Sequence, residues 1–126
     1  MNIHEHYRML ERMYHAAPIN NFFNPQMTVS EGKAVIVMSL HEKFHHAGGA
    51  VHGAVYFKML DDAAYFAANS LETKVFLLTT TFTTYLTRPI SEGEMKTVGR
   101  VVNSNQSQFI AEAIVYDSMD KEIGRG

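Results

Sequence analysis

The chain has 126 residues, of which 46% are hydrophobic and 19% are charged. This length and composition predict a single globular domain over residues 1–126, because such a chain can bury one hydrophobic core and is too apolar for disorder. Eleven basic against thirteen acidic residues give a formal charge of -2. The basic residues form no stripe, so nucleic acid is not expected as a partner.

The absence of cysteine excludes disulfides, a thiolate nucleophile and a cysteine-ligated metal. The N-terminal sequence MNIHEHYRMLERMYH is charged throughout and lacks the apolar stretch of a signal peptide. No apolar run has the length of a membrane span. We therefore expect a soluble, cytoplasmic protein with no membrane partner.

The first forty residues predict a helix and a hairpin. Apolar residues recur at helical spacing over residues 3–16, Asn2 can cap the N-terminus, and Pro18 follows the end. Two β-favouring runs between residues 26 and 40 flank a Ser-Glu-Gly turn, which is typical of a hairpin. The apolar helix positions are Ile3, Tyr7, Leu10, Tyr14 and Ala17.

Residues 44–70 read FHHAGGAVHGAVYFKMLDDAAYFAANS. Glycines lead into a segment whose apolar residues fill much of a helix circumference, so we expect a central helix that is covered on most sides. Its alanines would allow a sheet to approach the helix backbone closely. The apolar positions are Val55, Tyr56, Met59, Leu60, Ala63, Phe66 and Ala67.

Strand-like runs fill the rest of the chain. They cover residues 74–87, 94–104 and 108–118, and residues 121–126 resemble the opening of another strand. Because that last run stops without a turn signal, we expect that residues past Gly126 are missing. The element order predicts an α+β fold in which one antiparallel sheet wraps around the central helix.

Asp61 and Asp62 stand side by side in the apolar helix. Successive helical residues point about 100° apart, so the two carboxylates cannot face the same partner. One can be solvated or capping while the other is held in packed surroundings, where burial raises the pKa of a carboxyl group, as at many working sites. Two exposed carboxylates on a helix edge are the alternative.

A glycine turn precedes the helix at Gly48, Gly49 and Gly53. Such a turn at a helix N-terminus presents free N–H groups that can stabilise a carbonyl oxygen becoming negative, although a tight connection would use the same glycines. No Gly-Lys-Ser/Thr follows, so it is not a phosphate loop.

Nearby histidines are His41, His45, His46 and His52. They lack an HExxH pattern, and no serine lies in a GxSxG elbow, so we expect no metal, no cofactor and no serine triad.

These motifs together resemble the hotdog-fold thioesterases, in particular the PaaI-like branch of the 4-hydroxybenzoyl-CoA thioesterase superfamily. The family pattern is a His-Gly-Gly turn that opens the central helix, followed by an acidic residue in the second or third helical turn. Here His52 and Gly53 match, and Asp61 stands nine residues after the histidine. The run TTTFTTYLTRPI resembles the family's strand that ends in an aromatic residue, a leucine and often Arg-Pro. From residue 20 onward, the resemblance implies a hotdog fold.

The chain departs from the family pattern at two positions. Ala54 replaces the second glycine, which adds a methyl group beside the implied oxyanion site but keeps the backbone N–H. His46, six residues before His52, replaces the usual Asn or Gln. Its ring can donate a hydrogen bond and can titrate near neutral pH.

The resemblance implies hydrolysis of an acyl-CoA thioester to a free acid and CoA. The N–H of Gly53 would bind the developing oxyanion, and Asp61 of the other subunit would act as general base or as nucleophile, two roles that the sequence leaves open. His46 would hold the carbonyl or the water. Asp62 would support the helix or the subunit contact.

The implied substrate-binding residues are His52, Ala54, Thr79 and Arg88. His52 would shape the turn, Thr79 would position the attacking group, and Arg88 would contact a CoA phosphate, unless it is an ordinary strand-end arginine.

The family also implies a homodimer that continues the sheet, or a tetramer, with active sites at the shared interface. Aromatic, short-chain and medium-chain acyl groups remain open. The alternative function is a non-catalytic hotdog that binds acyl-CoA; a dehydratase-like hotdog is disfavoured because no histidine follows His52.

Overall fold

A computed structural model describes residues 2–126. Helix α1 (Ile3–Ala16) begins at Asn2, whose side-chain oxygen accepts a hydrogen bond from the Glu5 N–H at 2.9 Å. This confirms the first predicted helix, which packs its buried Tyr7, Leu10 and Tyr14 against neighbouring elements. A short helix α2 (Asn20–Phe23) follows that the sequence did not predict.

Within residues 2–126, six strands form one antiparallel sheet in the order β1-β2-β4-β5-β6-β3. The predicted hairpin is present and joins β1 to β2. The strands are β1 (Gln26–Ser30), β2 (Lys33–Ser39), β3 (Tyr85–Leu86), β4 (Glu94–Ser104), β5 (Phe109–Tyr116) and β6 (Glu122–Arg125). The predicted runs 94–104, 108–118 and 121–126 thus contain strands, as expected.

Helix α3 (Gly53–Asn69) lies across β2, β4 and β5. All seven of its predicted apolar positions are buried. The helix comes so close to the sheet that a Cβ at Gly99 of β4 would lie 2.7 Å from the Ala64 backbone nitrogen and nearer still to the Ala63 carbonyl. The α+β prediction is confirmed: one antiparallel sheet wraps around a central helix, which is the hotdog arrangement.

The predicted strand over residues 74–87 is wrong for most of its length. Only Tyr85 and Leu86 form a strand, opposite Arg125 and Gly124 of β6. Within residues 2–126, no strand pairs with residues 74–84. Val, Phe and Thr favour a pleated backbone, but composition cannot show whether a second backbone is present to pair with it.

Within residues 2–126, no helix is long and apolar enough to cross a bilayer.

Candidate active site

The segment before α3, the first turn of the helix and residues 86–89 form one cleft of about 340 Å³, named here the helix-start cleft. His46, Gly53 and Arg88 line it together with Tyr56 and Leu86. Nδ1 of His46 accepts the Gly48 N–H at 2.9 Å. A ring nitrogen that accepts carries no proton, so the neutral ring presents its N–H at Nε2.

Gly53 provides the free backbone donor at the start of α3. The Ala54 N–H already donates to Nδ1 of His52 at 2.9 Å, and the Val55 N–H donates to the His52 carbonyl at 2.9 Å. Among the hydrogen bonds within residues 2–126, none uses the Gly53 N–H. The Ala54 N–H is thus used in capping the helix, whereas the Gly53 N–H stands at the positive end of the helix dipole. The substrate-binding role predicted for Ala54 stays a prediction.

Asp61 lies half-buried on α3, two turns further along. Its Oδ1 accepts a hydrogen bond from the Thr79 hydroxyl at 3.0 Å. Burial raises the pKa of Asp61 above the ordinary value, the Thr79 hydrogen bond opposes that rise, the neighbouring Asp62 charge adds to it, and Lys58 opposes it. Asp61 is therefore a half-buried carboxyl group with a hydroxyl hydrogen-bonded to it. Such a group is suited to accept a proton.

Asp62 has a separate set of partners, as helix geometry predicts. Its Oδ2 accepts hydrogen bonds from the Tyr14 hydroxyl at 2.7 Å and from Lys58 Nζ at 2.6 Å. Burial, followed by the Asp62 charge, raises the pKa of Tyr14, so this hydroxyl stays protonated and donates. Asp62 therefore joins α1 to α3, while Asp61 stays available on the next face.

Two clefts meet at Asp61 and Thr79. One, of about 670 Å³, has a mixed wall, in which Thr80, Asn105 and Gln108 stand beside apolar side chains such as Phe82 and Phe109. The other, of about 430 Å³, lies between α1 and residues 76–79. The side chains that make it largely apolar include Met13, Ile19, Phe66, Phe76 and Leu78. A ligand with an apolar end could thus pass the carboxyl group.

The structure brings the predicted site residues together in two groups rather than one. His46, Gly53 and Arg88 share the helix-start cleft, with His52 and Ala54 at the helix start, while Asp61 and Thr79 are hydrogen-bonded to each other. The two groups are separated along α3: eight residues of helix rise by about 12 Å. Reacting atoms must approach to about 3–3.5 Å. One chain therefore cannot apply both groups to the same carbonyl.

Two further residues beside Asp61 are not among those predicted from the sequence. The Tyr65 hydroxyl donates to the Leu77 carbonyl at 2.6 Å, and Asn69 Oδ1 accepts the Leu77 N–H at 3.0 Å. The only signal in the sequence is the four-residue spacing Asp61, Tyr65, Asn69, which places the three on one helix face. Within residues 2–126, no three His, Asp or Glu side chains lie close enough to hold a metal ion.

A family model described as the thioesterase superfamily matches residues 48–123, which is more than half of the chain. The chain belongs to the thioesterase superfamily. The match includes α3, Asp61 and every lining residue of the helix-start cleft except His46. A comparison with curated proteins finds no match for this chain.

Solved structures of other thioesterase-superfamily proteins share the fold. The PaaI protein from the phenylacetic acid degradation operon of Escherichia coli superposes with a TM-score of 0.87 at 17% identity, covering 97% of this chain and 88% of that chain. Zebrafish thioesterase superfamily member 2 gives 0.82 at 13% identity, covering 99% and 94%. A thioesterase from Haemophilus influenzae gives 0.83 at 11%, covering 94% and 84%. At these identities the likeness establishes the hotdog fold.

Proposed function

We propose that the protein hydrolyses an acyl-CoA thioester to a free carboxylic acid and CoA. Membership of the thioesterase superfamily supports thioester hydrolysis in general. The single observation that carries the assignment of residues is Asp61, a half-buried carboxyl group with a raised pKa, hydrogen-bonded to Thr79 where a cleft of mixed polarity meets an apolar one.

In the proposed reaction the thioester carbonyl lies in the helix-start cleft with its oxygen on the Gly53 N–H. A donor of this kind lowers the transition-state energy by about 3 kcal/mol when an oxyanion develops. Nε2–H of His46 is a second donor for the carbonyl or the water. Asp61 removes a proton from the attacking water, the C–S bond breaks as the C–O bond forms, and the proton passes to the CoA thiolate.

Direct attack by Asp61 is the other route, in which a mixed anhydride forms first and water then cleaves it. A single turnover in ¹⁸O-water reveals the second route if water cleaves the anhydride at the aspartyl carbon. The general-base route, like attack of water on the acyl carbon of an anhydride, places ¹⁸O in the product acid. Attack of water on the aspartyl carbon of an anhydride would instead place the label in Asp61.

The separation along α3 leads us to propose that each site combines two copies of this chain, with Gly53 from one and Asp61 from the other. The surface beside Asp61 is suited to such a contact. Val75, Phe76 and Leu78 are 60%, 54% and 86% exposed in the single chain, on a segment with no strand partner within residues 2–126. Unpaired backbone and open apolar side chains are a template for pairing with another copy.

The catalytic assignment is tested with a panel of aromatic, short-chain and medium-chain acyl-CoAs, assayed for thiol release. Asp61→Asn keeps the side-chain size and removes the base, so turnover is expected to fall at least about a hundredfold with binding retained. Asp62→Asn is the matched control, because Asp62 faces Tyr14 and Lys58 instead. If Asp62→Asn is inactive and Asp61→Asn hydrolyses normally, the assignment is wrong. If no thioester is cleaved but CoA compounds raise the melting temperature, the protein is a binding module.

Subunit mixing tests the shared site. Gly53→Pro removes the proposed oxyanion donor at the first helical position, where proline is tolerated and where the extended backbone of His52 (φ -61°, ψ 141°) suits a following proline. Random pairing of Gly53→Pro with Asp61→Asn subunits makes half the dimers mixed, each with one intact site. About a quarter of wild-type activity should therefore return. If mass spectrometry shows that mixed dimers have formed and they recover no activity, the two-chain site is wrong.

A further inference from the structure

Three polar side chains follow one face of α3: Asp61, Tyr65 and Asn69, spaced four residues apart. The chain that leaves α3, residues 71–84, runs back along this row and is named here the return segment. Thr79 lies at Asp61, and Leu77 lies between Tyr65 and Asn69. The row therefore meets the return segment at successive points.

Both backbone groups of Leu77 are held by this row. Its N–H donates to Asn69 Oδ1 at 3.0 Å, and its carbonyl accepts the Tyr65 hydroxyl at 2.6 Å. Asn69 is itself fixed, since it is only 2% exposed and its Nδ2 donates to the Glu72 carbonyl at 3.1 Å. Leu77 stands two residues before Thr79, so a fixed Leu77 limits where Thr79 can lie.

The return segment has few other anchors. Among residues 2–126, the hydrogen bonds that hold residues 75–84 number four, and all of them end on Asp61, Tyr65 or Asn69. The fourth joins Asn69 Nδ2 to the Val75 carbonyl at 3.5 Å. The position of Thr79 in the single chain therefore depends on the row.

We propose that Tyr65 and Asn69 are positioning residues that hold the Thr79 hydroxyl against Asp61 by clamping the backbone of Leu77. The role rests on the proposed function, in which Asp61 and Thr79 act on the thioester. Displacement of a catalytic group by about 1 Å lowers turnover about a hundredfold. A clamp on an otherwise unpaired segment would prevent such a displacement.

Tyr65→Phe is the direct test. It keeps the ring, which packs against Phe66 and Phe76 at centroid distances of 5.0 and 5.2 Å, and removes only the hydroxyl. We expect kcat to fall about ten- to a hundredfold with KM within about twofold of wild type. In a Thr79→Val background the same change should have little further effect, because the group that it positions is already gone.

The pH profile gives a readout that a purely structural role would not move. The groups facing Asp61 are Asp62, Lys58 and Tyr65 on α3, and Thr79 on the return segment, with Tyr14 of α1 bound to Asp62. Of these, Thr79 opposes the raised pKa of Asp61 most. Both Tyr65→Phe and Thr79→Val should therefore move the acid limb of kcat/KM to higher pH.

Ser70→Ala is the matched control. Ser70 is the buried residue directly after α3, and its hydroxyl likewise joins backbone groups, accepting from the Gly32 N–H at 2.8 Å and donating to the Ala67 carbonyl at 2.6 Å. It anchors the β1–β2 turn rather than the return segment. We expect Ser70→Ala to lower the melting temperature while kcat and the pH profile stay at wild-type values.

Hydrogen exchange, read by mass spectrometry, tests the clamp without any substrate. Tyr65→Phe and Asn69→Ser should speed amide exchange in residues 75–84, and Ser70→Ala should not. Faster exchange in a protein that cleaves no thioester would mean that the clamp exists and the proposed function fails. Wild-type exchange, kcat and pH profile in Tyr65→Phe would overturn the clamp while leaving the role of Asp61 intact.

Discussion

Replacing Gly99 by alanine tests how closely the central helix must lie on the sheet. The new Cβ would stand 2.7 Å from the Ala64 nitrogen, whereas an ordinary contact begins at 3.4 Å, and it would overlap the Ala63 carbonyl more severely. Helix α3 must therefore move away by about 0.7 Å or more. The neighbouring atoms are backbone, so no side chain can rotate to relieve the overlap.

The free energy of unfolding should fall by a few kcal/mol at most. Overpacking of this kind costs about 1–3 kcal/mol, and the upper part of that range applies because backbone meets backbone. Alanine in a strand recovers about 0.5–1 kcal/mol relative to glycine. A net loss of about 2 kcal/mol corresponds to a decrease in Tm of roughly 6–10 °C for a domain of this size.

The same displacement should also reach the site, because Ala63 is two residues from Asp61 on the same helix. A shift approaching 1 Å would lower turnover about ten- to a hundredfold. Thermal unfolding followed by circular dichroism measures the first effect, and thiol release from acyl-CoA measures the second. A Gly99→Ala protein with a Tm within about 2 °C of wild type and unchanged kcat would refute the packing argument.

Three further predictions concern stability and pH. Thr97, buried two residues earlier on β4, has a hydroxyl with no hydrogen-bond partner within residues 2–126, so Thr97→Val should leave Tm unchanged or raise it by up to a few degrees in the same unfolding assay. Because burial raises the pKa of Asp61, kcat/KM should begin to fall, as pH decreases, at a pH above the ordinary pKa of an aspartate. The raised pKa also means that the stability associated with a protonated Asp61 is present at acid pH and lost as pH rises through the folded-state pKa. At neutral pH, Asp61→Asn should therefore abolish hydrolysis yet unfold at the same or a higher temperature than wild type.

Local signals in the sequence account for the elements that were predicted correctly. Asn2 supplies the N-cap of α1, the Ser-Glu-Gly turn closes the first hairpin, and apolar residues around α3 predict a covered helix. Each signal lies within a few residues of the feature that it specifies. The order of these elements along the chain then indicates the fold class, and that order can be read from one sequence.

The conformation of the return segment could not be predicted from its own residues. Its Val, Phe and Thr residues predict a strand, yet within residues 2–126 the hydrogen-bonding groups that hold residues 75–84 are side chains of α3. A hydrogen bond from Tyr65 or Asn69 to a backbone atom leaves no mark on the residue that receives it, because every residue has the same backbone groups. The family resemblance points to Thr79, but the clamp at Leu77 requires coordinates.

The adjacent aspartates illustrate how the fold separates two identical side chains into two roles. Lys58 donates to Asp62, and its charge opposes the raised pKa of Asp61, but by less than the Asp62 charge adds to it. The hydrogen bond from Thr79 opposes that rise more strongly than Lys58 does. A proton acceptor needs a pKa that is raised but still below the working pH. The Thr79 hydroxyl is therefore the main group that keeps Asp61 ionisable, and it ties the chemistry of Asp61 to the position of the return segment.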